Sequence, residues 1–435
     1  MLAAHATAPG QSTEKQQGTG MKKSFVGLDW LRFFLALYIV IFHTLFRYPE
    51  SGKIPFLFVF YFGGFATSTF FMLSGFLLSH VYFRDGGDHP IKGGVKSFLV
   101  KRFANIYPIH LISLVLVIIA SVASTHSALE VTSSTFTPYL DSVRTIGSDE
   151  AGLNLTLQLF LLQAWNPLYL SFNAPTWSLS NLAFFYVVFP FIAPSILRIR
   201  RRGTAIIVVF LVASTLPAAV VMFGWHARWI EGLLHINPLV RLPEFIAGIL
   251  TYSVFSSLSR QSIGTFLTIR PYLFALALCS FVAGAHLFAF GDTDWKYFLH
   301  NGALMFSQMT LILCCAIGTH TYGNRTGRLS TRLGNSVLSI FALHEFVFMV
   351  FSKVEKVAQT RFTLTSCFHS LHTCVAVGHR APLNLAFFPV YLAVTVAVAL
   401  VFQDGVVNPL RKRIETSVLV NARAHDAPPV AEVTQ

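Results

Sequence analysis

Charge is what this chain has least of. Asp, Glu, Lys and Arg make up 12% of its 435 residues, and only 19 of those are acidic. A soluble protein carries about twice that share of charge, so the composition excludes a water-soluble enzyme. Five cysteines are too few for a disulfide scaffold. No segment has the pattern of a signal peptide, no stretch resembles an ion-selectivity filter, and no internal repeat of the transporter kind stands out. The 32 Lys and Arg are scattered over short segments instead of gathered on one domain, which excludes a nucleic-acid partner.

What the chain has in abundance is apolar surface: 54% hydrophobic residues, 43 of them Phe, and a mean hydropathy of +0.60. Apolar stretches of membrane-spanning length recur along it. The sequence predicts an all-α polytopic membrane protein with ten transmembrane helices, near 26–46, 57–82, 107–124, 178–198, 204–223, 237–256, 272–290, 301–318, 334–352 and 384–402. The shorter, amphipathic 153–166 stretch reads as interfacial or re-entrant. With the N-terminus inside, about two-thirds of the Lys and Arg fall in cytoplasmic segments, as the positive-inside rule requires of ten spans. Both termini are therefore expected in the cytoplasm. The polar 1–20 segment and the tail 414–435 read as disordered, which leaves a membrane domain over 21–413. Met21, followed by Lys22 and Lys23, is a second possible start. No soluble catalytic domain fits anywhere, so any chemistry falls to the helices and their loops.

The first span carries Arg32 and His43, eleven positions apart. Eleven steps of about 100° return to nearly one face, roughly 16 Å along the axis. Intramembrane ionisable groups of this kind are costly unless a partner or a function compensates. The bland alternative is that Arg32 snorkels to one surface while His43 rests at the other interface. Asp29 and Arg32, three residues apart, can pair on the helix, and so can Arg241 and Glu244. Cys279, Cys314 and Cys315 fall in spans and read as packing residues. Cys367 and Cys374 lie in an outer loop, where a disulfide is open, and the interleaved His369, His372 and His379 fit no common zinc spacing.

Four separated motifs over about 26–350 resemble the acyltransferase-3 family of integral membrane O-acyltransferases. LDWLRFF followed by FH matches its opening Asp-x-x-Arg…His pattern through Asp29, Arg32 and His43. GGFATSTFFMLSGFLL carries Ser74 and Gly75. APTWSLSNLAFFYVVFP carries Trp177, Ser178, Ser180, Tyr186 and Pro190. LGNSVLSIFALHEFV carries Gly334 and His344. Each motif alone is modest; four in order are specific. The resemblance implies transfer of an acyl group, acetyl by the family's habit, from cytoplasmic acetyl-CoA to a glycan hydroxyl. It further implies a bacterial inner membrane, polysaccharide-assembly partners and no metal.

Within that reading His43 is the expected general base, because neutral imidazole can take a hydroxyl proton near pH 7. An acyl-His43 or acyl-Ser intermediate is the other route. Arg32, Ser178 or Ser180 could hold the tetrahedral oxyanion, although helix capping after APTW explains the two serines equally well. His344 is a further catalytic candidate. Arg32, Ser74, Lys101 and Arg102 are expected to bind the donor, the basic ones through its phosphates. Trp177, Arg241 and Glu244 are expected near the acceptor.

Two positions depart from the family's pattern. Leu182 stands where a Glu is usual, and Asn105 where an Arg is usual. Losing a buried pair together avoids an orphan charge; a catalytically lapsed member would show the same losses. A transporter or flippase is the competing class, since it too would have ten spans and intramembrane charges.

Overall fold

The computed structural model describes residues 24–83, 87–123, 130–133, 143–318, 320–321, 325–359 and 381–425. Ten of its helical segments are long and apolar enough to cross a membrane. In chain order the helices are α1 (Val26–Thr44), α2 (Gly63–Tyr82), α3 (Gly94–Ala123), α4 (Ser148–Leu159), α5 (Trp177–Leu197), α6 (Arg202–Phe223), α7 (Arg228–Ile236), α8 (Pro238–Ser256), α9 (Arg260–Phe290), α10 (Thr293–His300), α11 (Met305–Ala316), α12 (Arg325–Asn335), α13 (Val337–Ala358), α14 (Phe388–Phe402) and α15 (Asn408–His425). The loop residues 360–380, with Cys367, Cys374 and the three interleaved histidines, lie outside the described residues.

Local chemistry explains the breaks. Gly224, at φ 65°, ends α6 in the left-handed region that glycine enters at no steric cost. Asn237 then starts α8 by accepting the Leu239 N–H at 3.0 Å, with Pro238 at the first helical position. A π-turn over Gln403–Val407 joins α14 to α15 without ending the helix. That helix runs to His425, past the boundary at 413 expected from the sequence and into the segment read as a disordered tail.

The packing centre is the crossing of α2 and α8. A Cβ on Gly248 would overlap the Met72 carbonyl oxygen, and one on Gly75 would overlap the Phe245 carbonyl. Only glycine at both positions lets the two backbones touch. Phe71, Phe76, Phe185, Phe189 and Phe245 fill the surrounding core. A smaller close approach joins α12 to α1, where a Cβ on Gly334 would come within 2.9 Å of Asp29 Oδ1.

Antiparallel neighbours give the bundle two ends. The Arg32 end holds Tyr82, Arg102 and a two-stranded contact of Ser24–Phe25 with His320–Thr321. The His43 end carries a three-stranded antiparallel sheet of 130–133, 143–145 and 169–171. At the end of α4 and just beyond it, Gln158, Leu161, Gln163 and Ala164 are buried while Phe160 and Leu162 are exposed. His110 Nε2 meets the Gln158 carbonyl at 2.8 Å, and Gln163 donates to the Thr176 carbonyl at 3.0 Å.

Candidate functional site

At the end of α1 the His43 ring lies 5.3 Å from the ring of His344, the planes inclined by 27°. His344 comes from α13 and is fully buried. Its Nδ1 is 2.6 Å from the Phe341 carbonyl, which can only accept. This contact assigns the proton to Nδ1 and leaves a lone pair on Nε2. That Nε2 is buried and has no hydrogen-bond partner among the described residues. Glu345 Oε1 stands 3.9 Å away, too far to bond, and is held instead by Arg47 at 2.9 Å. Nearby, Tyr48 donates to Glu355 Oε2 at 3.0 Å. Burial, and then the Glu355 charge, push this phenol well above its ordinary range and keep it protonated.

A second pair of histidines adjoins the first. His235, in α7, is within electrostatic reach of His43. Its ring sits edge-on to His300 at 4.7 Å and to Trp177 at 5.2 Å. His300 is tied to Arg241, a guanidinium with no solvent exposure. Arg241 Nη1 donates to His300 Nδ1 at 3.0 Å and to the His300 carbonyl. Its Nη2 reaches Ser68 Oγ at 2.8 Å and Glu244 at 3.0 Å, while Ser68 donates to Glu244 Oε1 at 2.9 Å. An Arg can only donate, so His300 accepts through Nδ1 and carries its proton on Nε2. The buried guanidinium is thus paired with a carboxylate and hydrogen-bonded through both Nη atoms, while Arg241 Nε and Glu244 Oε2 have no hydrogen-bond partner among the described residues.

A cavity of about 130 Å³ lies within the bundle, with Phe341 in its lining. Arg32, Arg102 and Asn105 line one part of it; Thr67, Ser178 and Phe341 line another. Arg32 is loosely paired with Asp29 at 3.7 Å. Arg102 donates to the Tyr82 hydroxyl at 3.3 Å and lies 5.6 Å from that ring, while its buried Nε has no hydrogen-bond partner among the described residues. Phe341 connects cavity and histidines: its side chain lines the one and its carbonyl holds the Nδ1 proton of the other.

Comparison with known proteins places this arrangement. The acyltransferase domain of the acyltransferase-3 family matches residues 25–404. The chain belongs to that family. It is also 29% identical over 258 residues to acyltransferase MdmB of Streptomyces mycarofaciens, a stretch that covers 52% of this chain and 58% of that relative. No solved structure matches it. The chain's four motifs converge on the cavity and the histidine pair.

Of the residues singled out from the sequence, Arg32, Ser74, Arg102 and Ser178 line the cavity, as do the two departures Asn105 and Leu182. His43 and His344 form the histidine pair; Trp177, Arg241 and Glu244 belong to the adjoining network. Lys101 is half-buried beside Arg102 on α3 and is not part of the cavity wall.

Ser180 Oγ donates to the Leu161 carbonyl at 2.5 Å and accepts the Ala164 N–H at 3.4 Å, so it latches the 161–164 segment to α5. Neither serine caps α5, which begins at Trp177; Ser178 Oγ contacts the Pro175 carbonyl at 3.4 Å. Leu161 and Phe172 hold φ of 57° and 55°, a strained conformation for bulky residues. Sequence reasoning missed Ser68, His235 and His300. Single polar residues in apolar helices look alike until a fold brings their helices together. Among the described residues no group of three or more His, Cys, Asp or Glu is arranged to hold a metal.

Proposed function

We propose that this acyltransferase moves an acyl group, acetyl, from cytoplasmic acetyl-CoA to a hydroxyl of a surface or exported glycan. It would do so as a multi-pass protein of a bacterial inner membrane with both termini inside. The observation that carries this reading is the cavity itself. Two arginines suited to phosphate line it, and Phe341, also in its lining, bonds through its carbonyl to the histidine pair suited to removing a hydroxyl proton. In this scheme the phosphates of the donor rest at the Arg32–Arg102 end and the thioester arm lies along the cavity. His43 takes the acceptor proton, and the orphan lone pair of His344 Nε2 receives a hydrogen bond from His43 or from the acceptor. Arg241, held rigid by Ser68 and Glu244, fixes the second histidine pair and with it Trp177, which is where the sugar would stack.

The test is incorporation of radiolabelled acetyl groups into cell-surface glycan in cells that lack the native gene. Label that appears with the wild type and vanishes with equal amounts of His43→Ala supports the reading. Equal label from both removes His43 from the chemistry. No label from either favours the transporter or the lapsed-enzyme reading.

A further inference from the structure

The residues that match the acyltransferase-3 family end at 404, yet the helix they belong to continues through the π-turn into α15. A π-turn changes the face that a helix presents, and such turns are common at functional sites. This one is pinned on both sides. Gln403 accepts the Ser339 hydroxyl at 2.7 Å, and Arg332 grips Asp404 with two donors at 2.7 and 3.0 Å. One turn beyond it, α15 packs against α3 and points Arg411 at the cavity wall. Arg411 Nη1 donates to Asn105 Oδ1 at 3.4 Å, while the guanidinium remains 43% exposed.

Asn105 lines the cavity together with Arg102 and Arg32, and Arg411 reaches that lining from α15 through Asn105, as a third guanidinium beside the same wall. The nearby carboxylates hold these cations only loosely: Asp29 lies 3.7 Å from Arg32 and Glu415 lies 3.8 Å from Arg411. Cations gathered beside one wall repel one another unless an anion joins them. A forked, planar donor half in water can bind a phosphate through two parallel N–H···O bonds.

We propose that Arg411, supplied by the C-terminal helix outside the family's domain, binds the phosphate-bearing head of the CoA-type donor beside that wall. The proposal rests on the donor reading given above. It also makes α15 a working part of the donor site, aimed by the π-turn.

The experiment measures binding of coenzyme A to the purified full chain in lipid nanodiscs. Wild type is compared with Arg411→Gln, Arg411→Lys and the double variant Asn105→Arg/Arg411→Gln. Loss of one charge-assisted phosphate contact is expected to weaken binding about tenfold in Arg411→Gln. Arg411→Lys should lose less, and the double variant should recover most of the affinity, because an arginine at 105 places its guanidinium on the same wall. Unchanged binding in Arg411→Gln overturns the proposal. A loss that Asn105→Arg fails to restore also overturns it, because that marks a helix-docking effect. Failure of the wild type to bind coenzyme A removes the donor reading itself, and this proposal with it.

Discussion

The imidazoles of His43 and His344 stack 5.3 Å apart, and the inner one is tautomerically fixed by the Phe341 carbonyl. The pair is therefore asymmetric. His43 is partly accessible, whereas His344 is fully buried and offers a lone pair that no other described residue uses.

Two substitutions at His344 separate its two nitrogens. His344→Asn can keep the donor to Phe341 and loses the Nε2 lone pair; His344→Gln reaches nearer to the Nε2 position. Asn is expected to fold normally and to lower acetyl transfer by about 10²-fold, the low end of a lost acid–base contribution, with Gln less impaired. Equal rates in both variants would assign His344 to packing. Wild-type transfer should also fall as pH drops, since protonating His43 removes the lone pair that accepts the hydroxyl proton.

Arg241 and Glu244 should behave as one unit. Removing Glu244 alone, as Glu244→Leu, leaves a buried guanidinium without its counter-charge and should cost about 3–5 kcal/mol. Arg241→Met/Glu244→Leu should cost less than the sum of the two single changes. Thermal unfolding of the four proteins in one detergent checks this, and simple additivity would show the pair to be uncoupled.

Ser180→Ala is expected to cost about 1 kcal/mol and to loosen the 160–165 segment, visible as faster amide exchange there. Ser178→Ala should leave that segment unchanged, because its Oγ holds no part of the 161–164 stretch. Matching exchange in both variants would refute the latch.

Leu182 and Asn105 line the same cavity, so a pair introduced there has room to meet. Leu182→Glu with Asn105→Arg should be more stable than the two single changes predict, by at least about 0.5 kcal/mol. An additive double variant would mean that the two departures arose independently.

Much of this architecture was legible from hydropathy because lipid imposes it: apolar length fixes a span. The errors have the same origin. The expected third and seventh spans began at 107 and 272, but the helices begin at Gly94 and Arg260. Hydropathy registers only the apolar part of a helix that extends beyond the bilayer core. The pairings Asp29–Arg32 and Arg241–Glu244 followed from spacing on one helix. The His43–His344 stack did not, since no local rule links residues so far apart in sequence. The Ser180 contact was hidden for a related reason: its partner, the Leu161 carbonyl, is a backbone group presented by a strained turn, and side-chain patterns do not report it.

The glycine crossing of α2 and α8 has a mechanical consequence. Two backbones in direct contact at both Gly75 and Gly248 behave as one spar, with no slack for either helix to slide or roll against the other. Ser74 of the cavity wall and Arg241 of the histidine network ride on that spar. A rocking of one half of the bundle past the other cannot pivot between these helices. The cavity wall and the histidine network therefore keep a fixed spacing, set by two glycines that line neither.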